Sequence, residues 1–218
     1  MTAYRAAIFD LDGVIADTAR LHLAAWQQLA EEEGFRLPAD ADERLKGVDR
    51  MASLEIVLEG ASRPYREDEK LALADRKNQR YQQLVTQLTP ADLLPGAAQL
   101  LDQLAEWNIP MALASASKNA RAVIDGLGIA HRFDYIADAA RVKHPKPDPE
   151  IFTLAARGLG VEPALCVGIE DAAAGVTAIK RAGMYAVGIG DDRVLAEADQ
   201  CVPSLADFRP DSCFEARR

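Results

Sequence analysis

Short apolar runs alternate with amphipathic stretches along most of this chain. Five of the runs have the length and apolar character of buried β-strands: residues 6–10, 111–115, 135–138, 165–170 and 186–189. Helical patterns lie between the later runs, near residues 120–127, 149–159 and 172–182. Strands that alternate with helices in this way pair in parallel, so the pattern predicts a doubly wound α/β sheet with helices on both faces.

Glycine and proline residues mark the ends of these predicted helices. Gly128, Gly160 and Gly183 stand where a left-handed backbone commonly ends a helix. Asp148 and Pro149 fit an N-cap followed by the first helical residue. These signals give boundaries to the alternating pattern.

Residues 16–91 depart from the alternation because they contain no clear strand. Helical patterns cover residues 18–33, 40–46, 53–59 and 67–88. The first of them has Asp17 or Thr18 as its N-cap and Gly34 after its end. We predict a core domain of residues 1–15 and 92–218 and an α-helical cap domain of residues 16–91. An insert directly after the first strand is typical of a lid over a site.

Composition and charge exclude several classes of protein. The 218 residues are 49% hydrophobic, and their formal net charge of −9 argues against nucleic acid or an anionic membrane as a partner. No apolar run has the length of a membrane span, and no signal peptide is recognisable. Three cysteines without metal-ligand spacing favour a reducing compartment. We therefore expect a cytoplasmic monomer that binds neither nucleic acid nor membranes.

Polar clusters follow four predicted strands or lie on the loops after them: Asp10 with Asp12, residues 115–119, Lys146, and Glu170 with Asp171. In open parallel sheets, chemistry collects at the carboxyl ends of the strands. Two acid pairs suit a divalent cation such as Mg²⁺, because it prefers hard oxygen ligands. A serine and a lysine beside them would hold phosphoryl oxygens, so together the clusters predict a metal and phosphate site.

Each cluster taken alone has a simpler interpretation. The first acid pair could belong to a turn, although Ile15 and Leu21 exclude a calcium loop, which needs Gly and Glu at their positions. The serines and the second acid pair could cap the helices that follow them. Lys146 could be a solvated surface residue, although the prolines on both sides restrict its backbone. The occurrence of all four clusters in this order favours one joint site.

The motifs Asp10-x-Asp12-Gly13, Ser115, Lys146-Pro147 and Gly168-x-Glu170-Asp171 resemble the four signatures of the haloacid dehalogenase superfamily of phosphotransferases. Segments 22–26, 45–50, 76–78, 90–92 and 112–119 resemble the sugar-phosphate mutases of that superfamily. The resemblance extends from about residue 6 to residue 190. After Gly190 the sequence indicates only a last helix or strand and a tail, which carry no chemical motif.

The resemblance implies a role for each core residue. Asp10 is implied to be the nucleophile that forms an aspartyl phosphate, and Asp12 to be the general acid/base. Ser115 and Lys146 are implied to bind the transferring phosphate. The implied ligands of Mg²⁺ are Asp10, the backbone carbonyl of Asp12, Glu170 and Asp171.

The resemblance also implies roles for residues of the cap and of the loop at 115–119. The implied ligands of the non-transferring phosphate are Arg50, Ser117, Lys118 and Asn119. Thr18, His22 and Lys77 are implied to link cap closure to the position of Asp12. The remaining candidate substrate-binding residues are Trp26, Lys46, Gly47, Ser53 and Ala116.

A phosphosugar is the implied substrate, and the implied reaction converts β-D-glucose 1-phosphate to glucose 6-phosphate through a bisphosphate. The alternatives are a sugar-phosphate phosphatase and a silent phosphosugar-binding regulator, although a binder has no need of the intact acid pair. Arg50 and residues 117–119 favour the mutase, because only a mutase must hold a second phosphate. Two departures put sugar preference in doubt: Asp49 could pair with Arg50, and His144-Pro145 precedes Lys146.

Overall fold

Six parallel β-strands form the sheet of the computed structural model, which describes residues 4–216. The strands are β1 (Ala6–Phe9), β2 (Met111–Leu113), β3 (Tyr135–Ile136), β4 (Cys166–Glu170), β5 (Tyr185–Ile189) and β6 (Gln200–Val202). Their order is β3-β2-β1-β4-β5-β6, and β1 pairs with both β2 and β4. The predicted α/β sheet is confirmed, and its central strands are buried on both faces, as parallel sheets require.

The described residues form eight α-helices: α1 (Ala19–Glu32), α2 (Ala41–Arg44), α3 (Arg50–Leu58), α4 (Glu67–Val85), α5 (Ala97–Glu106), α6 (Ala120–Gly126), α7 (Glu150–Leu159) and α8 (Ala173–Arg181). Helices α5 and α6 cover one face of the sheet, and α7 and α8 cover the other. Successive side chains of β1 point to opposite faces of the sheet: Phe9 packs with α5 and α6, and Ile8 packs with α7 and α8.

Helices α1 to α4, here called the cap helices, lie between β1 and β2 in the chain and have a buried cluster of their own. Its members are Trp26, Leu29, Leu54, Val57, Leu73 and Ala74. The two chain crossings between cap helices and sheet lie side by side. Ala16 forms an isolated β-bridge with Leu93, and the backbone N–H of Leu94 donates to the carbonyl of Ile15 at 2.9 Å.

The predicted start of α3 at residue 53 is wrong. The helix begins three residues earlier, directly after its N-cap Asp49. The Asp49 carboxylate accepts hydrogen bonds from the backbone N–H groups of Met51 (2.9 Å) and Ala52 (3.3 Å). Such bonds satisfy N–H groups that have no partner within the helix. Arg50 is therefore the first residue of α3.

Other predicted boundaries differ by smaller amounts. Helix α4 ends at Val85 instead of residue 88, and α2 and β3 are shorter than predicted. Pro149 is the N-cap of α7 and not its first residue, although the Asp148 carboxylate accepts from the N–H of Glu150 at 3.0 Å. Gly128, Gly160 and Gly183 have positive φ as expected.

The sequence analysis missed helix α5, whose Leu100, Leu101 and Leu104 have helical spacing and are buried against the sheet. Beyond Gly190 the chain forms strand β6, and residues 217–218 of the predicted tail lie outside the described residues. No helix in the described part of the chain is both long and apolar enough to cross a membrane.

Candidate active site

Lys146 lies buried between two carboxylates at the carboxyl ends of β1 and β4. Its Nζ donates to Asp10 Oδ1 at 2.6 Å and to Glu170 Oε2 at 2.7 Å, and the three side chains are at most 5% exposed. Burial opposes the charge of Lys146, but the two carboxylates outweigh burial and raise its pKa. Lys146 is therefore a charged residue of the site, and the solvated alternative is wrong.

Asp10, Glu170 and Asp171 form the acidic cluster, in which one carboxylate oxygen of each lies within 4.8 Å of the others. Burial, followed by the charge of Glu170, raises the pKa of Asp10 to about 8 and that of Asp171 to about 9. Three ionised carboxylates against one lysine would carry an excess of negative charge, and their all-oxygen donor set suits a hard divalent cation that offsets it. Gly13 leaves room for this cluster, since a Cβ there would lie 2.0 Å from Asp171 Oδ2.

Glu170 also stabilises the start of α8. Its Oε1 accepts from the backbone N–H groups of Asp171 and Ala172, both at 3.1 Å, while its Oε2 accepts from Lys146. Gly175 permits this approach, because a Cβ there would lie 1.9 Å from Glu170 Oε2. The second acid pair was predicted either to cap the following helix or to belong to a metal and phosphate site. Glu170 does the first through Oε1, and through Oε2 it contacts Lys146 of the site.

Asp12 is held by residues at the start of α1. Its carboxylate accepts a short hydrogen bond from the Thr18 hydroxyl, and its Oδ1 lies 3.8 Å from His22 Nε2. Thr18 occupies the N-cap position of α1, but its side chain makes no capping hydrogen bond. Burial raises the pKa of Asp12, and the bond from Thr18 lowers it in part. The Thr18 hydroxyl thus fixes Asp12 and does not cap the helix.

Lys77 of α4 reaches His22 from the opposite side. Its Nζ lies 2.6 Å from His22 Nδ1 and 4.7 Å from the centroid of the Trp26 ring. Burial, and then the charge of Arg50, lowers the pKa of Lys77 to about 7. Burial and the charge of Lys77 lower the pKa of His22 well below its ordinary value. In the neutral imidazole, Nδ1 accepts from Lys77 and Nε2 carries its proton toward Asp12.

Arg50, at the start of α3, belongs to a hydrogen-bonded group that joins the cap helices to the core. Its Nη2 donates to Asn78 Oδ1 at 2.8 Å, and Asn119 Nδ2 donates to the same oxygen at 2.9 Å. Gln82 Nε2 donates to Asn119 Oδ1 at 3.2 Å. The possible Asp49–Arg50 ion pair is not among those of the described residues, and the Asp49 carboxylate instead caps α3.

The loop at residues 115–119 is organised by its two serines. Ser115 Oγ accepts from the N–H of Ser117 at 3.1 Å, and Ser117 Oγ accepts from the N–H of Asn119 at 3.2 Å. Lys118 is exposed, and Ala116 is half-buried beside it. The serines thus shape the loop by local hydrogen bonds. The capping alternative is wrong for them, because Asn119 is the N-cap of α6 and neither serine accepts from a helical N–H among the described residues.

A cavity of about 490 Å³ separates the cap helices from the end of the sheet. It is lined by all of the sequence-predicted site residues except Thr18, Ser115 and Glu170, which are buried. Gly47 brings the cap close to the core, since a Cβ there would lie 3.1 Å from the Cβ of Ala172. Trp26, Lys46 and Ser53 belong to the cap side of this cavity, and Lys46 pairs with Glu43 at 3.0 Å.

The sequence analysis missed Asn78 and Gln82 as members of the site. Both lie on α4, and Asn78 lines the cavity beside Lys77. The available signal was their spacing: Asn78 and Gln82 stand four residues apart and therefore on one face of the helix. A polar helix face is also what a solvated surface looks like, so the pattern alone did not distinguish the two.

The fold and this site define a class of protein. The chain belongs to the haloacid dehalogenase-like hydrolase family, whose sequence model matches residues 4–183. The predicted superfamily is therefore confirmed.

Particular relatives narrow this class. The chain is 48% identical over 206 residues to the β-phosphoglucomutase of Bacillus subtilis, covering 94% of this chain and 91% of that protein. It is 35% identical over 192 residues to a fructose-1-phosphate phosphatase of Escherichia coli, covering 85% and 96%. The crystal structure of β-phosphoglucomutase from Clostridium difficile superposes with a TM-score of 0.90 at 45% identity, covering 94% of this chain and 93% of that one.

Proposed function

We propose that this protein is a Mg²⁺-dependent β-phosphoglucomutase that converts β-D-glucose 1-phosphate to glucose 6-phosphate through glucose 1,6-bisphosphate. One observation carries the proposal: the same cavity is lined by two separate groups that can bind phosphate. Lys146 stands beside Asp10 at one of them, and Arg50 stands with Asn119 at the other. A mutase needs both, because its intermediate carries two phosphates. The similarity to two β-phosphoglucomutases supports the same conclusion.

Asp10 is the proposed nucleophile. A bond forms between its carboxylate and phosphorus as the bond from phosphorus to the sugar oxygen breaks, which leaves an aspartyl phosphate. Lys146, already in contact with Asp10, offsets the negative charge of the transferring group, and Ser115 supports the loop beside it. Mg²⁺ held by Asp10, the Asp12 carbonyl, Glu170 and Asp171 would supply further charge neutralisation.

Asp12 is the proposed general acid/base. It removes the proton of the sugar hydroxyl that receives the phosphoryl group and returns a proton to the sugar oxygen that departs. The hydrogen bond from Thr18 and the neighbouring His22 orient its carboxylate. The raised pKa of Asp12 suits a group that must carry a proton in part of the cycle.

The non-transferring phosphate is proposed to bind Arg50, Ser117, Lys118 and Asn119. The bisphosphate then exchanges its ends, so that each phosphate visits both sites. The sugar lies between them against the cap side of the cavity, lined by Trp26, Lys46, Gly47, Ser53 and Ala116. We also propose a cytoplasmic location, since all three cysteines are free thiols, which a reducing compartment maintains. The monomeric state stays a prediction.

Arg50→Ala tests the second phosphate site. The variant should still take a phosphoryl group from acetyl phosphate and release it to water, because Asp10 is untouched. Isomer formation should fall by about one and a half to three and a half powers of ten, since the lost charge-assisted contact is worth about 2–5 kcal/mol. The measurement compares isomer formation with phosphate release in wild type, Arg50→Ala and a control, Arg121→Ala. Arg121 is exposed and pairs only with Asp125 of its own helix among the described residues.

The alternative is a sugar-phosphate phosphatase, which would use the same nucleophile and acidic cluster with water as acceptor. The 35% identity to a fructose-1-phosphate phosphatase favours keeping it as the second candidate. Equal loss of both activities in Arg50→Ala, or no change in either, would contradict the mutase and move the phosphatase ahead.

A further inference from the structure

Tyr81 of α4 is a fully buried residue that contacts two side chains of the site. Its ring lies parallel to the imidazole of His22, with 3.8 Å between centroids and 14° between planes. Lys77 Nζ lies 5.0 Å from the centroid of the same tyrosine ring. Tyr81 is 0% exposed and is absent from the described lining of the cavity, so it does not touch the substrate itself.

The stacking decides which way the imidazole faces. His22 Nδ1 is 2.6 Å from Lys77 Nζ, and Nε2 is 3.8 Å from Asp12 Oδ1. Rotation of the imidazole about its bond to Cβ would break the first contact and turn the second away. A parallel ring at van der Waals distance blocks that rotation, because the turning imidazole would collide with it.

The hydroxyl group of Tyr81 does not account for its presence. Its Oη is buried and has no hydrogen-bond partner in the described part of the chain. The Ser117 hydroxyl is near enough to oppose the rise in the phenol pKa that burial causes, but hydrogen-bond geometry is not reached. A buried hydroxyl without a partner is unfavourable, and the contacts that the structure shows between Tyr81 and the site are made by its ring.

We propose that Tyr81 is a positioning residue: its ring fixes the plane of the His22 imidazole, and so holds His22 between Lys77 and Asp12. This inference rests on the proposed function, in which Asp12 must face a sugar hydroxyl. When the imidazole can turn, Asp12 keeps its bond from Thr18 but loses the neighbour that directs it toward the cap side of the cavity. Transfer of the phosphoryl group to the sugar hydroxyl then slows more than its transfer to water, because a water molecule does not have to be held in one orientation.

Two substitutions separate the ring from the hydroxyl. Tyr81→Phe keeps the stacking and removes an unpaired polar group, so isomer formation should stay within about twofold and thermal stability should not fall. Tyr81→Leu removes the flat surface, and isomer formation should fall by about tenfold or more, as expected for a misplaced catalytic group. Release of phosphate after phosphorylation by acetyl phosphate should change far less. Tyr65→Leu is the matched control, since Tyr65 is a cap tyrosine that bonds to Glu33, away from His22.

Nuclear magnetic resonance gives a readout that a merely structural role would not move. The chain has three histidines, and His131 and His144 are exposed, so His22→Gln identifies the signals of His22. In the wild type, stacking should shift the His22 ring protons upfield, and the ring nitrogens should show one tautomer protonated at Nε2. Tyr81→Phe should keep both signatures. Tyr81→Leu loses the upfield shift simply because the aromatic ring is gone, so the deciding signature in that variant is the tautomer, which should become averaged.

The outcomes distinguish the two hypotheses. Wild-type protein that forms no isomer contradicts the proposed function, while the resonance measurement still tests the stacking. Equal loss of isomer formation and phosphate release in folded Tyr81→Leu, or a His22 that stays in the single Nε2-protonated tautomer in that variant, overturns the positioning role. If Tyr81→Leu does not fold, the wild type and Tyr81→Phe decide: the absence of the upfield shift in the wild type, or its loss in Tyr81→Phe, overturns the proposal.

Discussion

Lys146 and Lys77 are both buried lysines with opposite surroundings. Lys146 lies between Asp10 and Glu170, whose charges outweigh burial and raise its pKa, so it stays protonated. Lys77 faces His22, and burial together with Arg50 lowers its pKa to about 7. The first suits binding of a phosphoryl group, and the second can exist in either charge state near neutral pH.

The lowered pKa of Lys77 makes stability depend on pH in a defined direction. Lys77 loses its proton near pH 7 in the folded protein and near 10.5 in the unfolded chain, so the unfolded chain binds more protons in between. Its contribution to the free energy of unfolding therefore rises from pH 7 to 10.5, by at most about 1.4 kcal/mol per pH unit, and is lost as pH falls to 7.

Urea unfolding of wild type and Lys77→Met between pH 7 and 10 measures this contribution. The difference between the two profiles isolates Lys77 from Asp10 and Asp171, whose raised pKa values act with the opposite sign. Stability should rise more steeply with pH in the wild type, and parallel profiles would contradict the prediction.

Residues of the core site could be predicted because their chemistry follows from position. Asp10, Glu170 and Asp171 end buried strands or directly follow them. A buried carboxylate is costly there unless it pairs with a cation, so its presence indicates a functional site. Asn78 and Tyr81 could not be assigned in this way. One looks like a solvated polar residue and the other like a core aromatic. Only the packing of α4 against α3 brings Asn78 to Arg50, and only its packing against α1 brings Tyr81 to His22.

Helix α3 shows how one capping residue positions a functional one. The Asp49 carboxylate accepts two backbone N–H bonds and places Arg50 in the first position of the helix. A cation is unfavourable next to the positive end of a helix dipole, whereas an anion is favourable there. The Asp49 carboxylate is that anion, so it also offsets the cost of placing the Arg50 cation at the start of α3.

Asp49→Ala should lower the free energy of unfolding by about 1 kcal/mol, the usual effect of losing an N-cap side chain. KM for the sugar phosphate should rise as well, because the start of α3 and with it Arg50 become less ordered. Asp49→Asn is the matched control, since asparagine keeps the acceptor oxygen. Chemical denaturation and steady-state kinetics measure both effects. Equal destabilisation by the two substitutions would show that the cap is not the cause.

Elements with a long periodic pattern were placed more exactly than short ones. Helices α1, α4, α7 and α8 are near their predicted positions because apolar residues recur over several turns. Strand β3 was predicted two residues too long and strand β6 was not placed, because two or three residues contain no period and pairing with neighbouring strands fixes their bounds. Helix α5 was missed although its leucines have the helical spacing that could have predicted it.

At the scale of the whole molecule, an acidic protein contains a cavity whose lining is balanced in charge. The net charge is −9, yet six cationic side chains line the cavity: Lys46, Arg50, Lys77, Lys118, Lys143 and Lys146. Six carboxylates line it as well: Asp10, Asp12, Asp42, Asp49, Asp75 and Asp171. The acidic cluster at its inner end suits a bound cation, and the cationic side chains suit a substrate with two phosphates.

Mg²⁺ should stabilise the folded protein, because the acidic cluster exists only when β1 and β4 are paired. At a concentration about a hundred times the Kd, the gain should be about 2.7 kcal/mol. Thermal unfolding with Mg²⁺ or with a chelator measures it, and activity should be lost on chelation. Asp171→Ala should lose the gain and the activity, whereas Asp211→Ala, an exposed residue far along the chain, should keep both. Full turnover after exhaustive chelation would refute the metal requirement.

The paired crossings of the chain have a consequence for how such an enzyme can be remodelled. Ile15 and Ala16 leave the sheet beside the place where Leu93 and Leu94 return, and the two segments are hydrogen-bonded. With respect to the sheet, the segment between Ala16 and Leu93 behaves as one long loop, because its two ends are held together by these hydrogen bonds. The entropy of closing such a loop depends only weakly on its length. The intervening segment could therefore be exchanged for a shorter or longer one while the strand register stays the same, so substrate choice and phosphoryl chemistry can diversify independently.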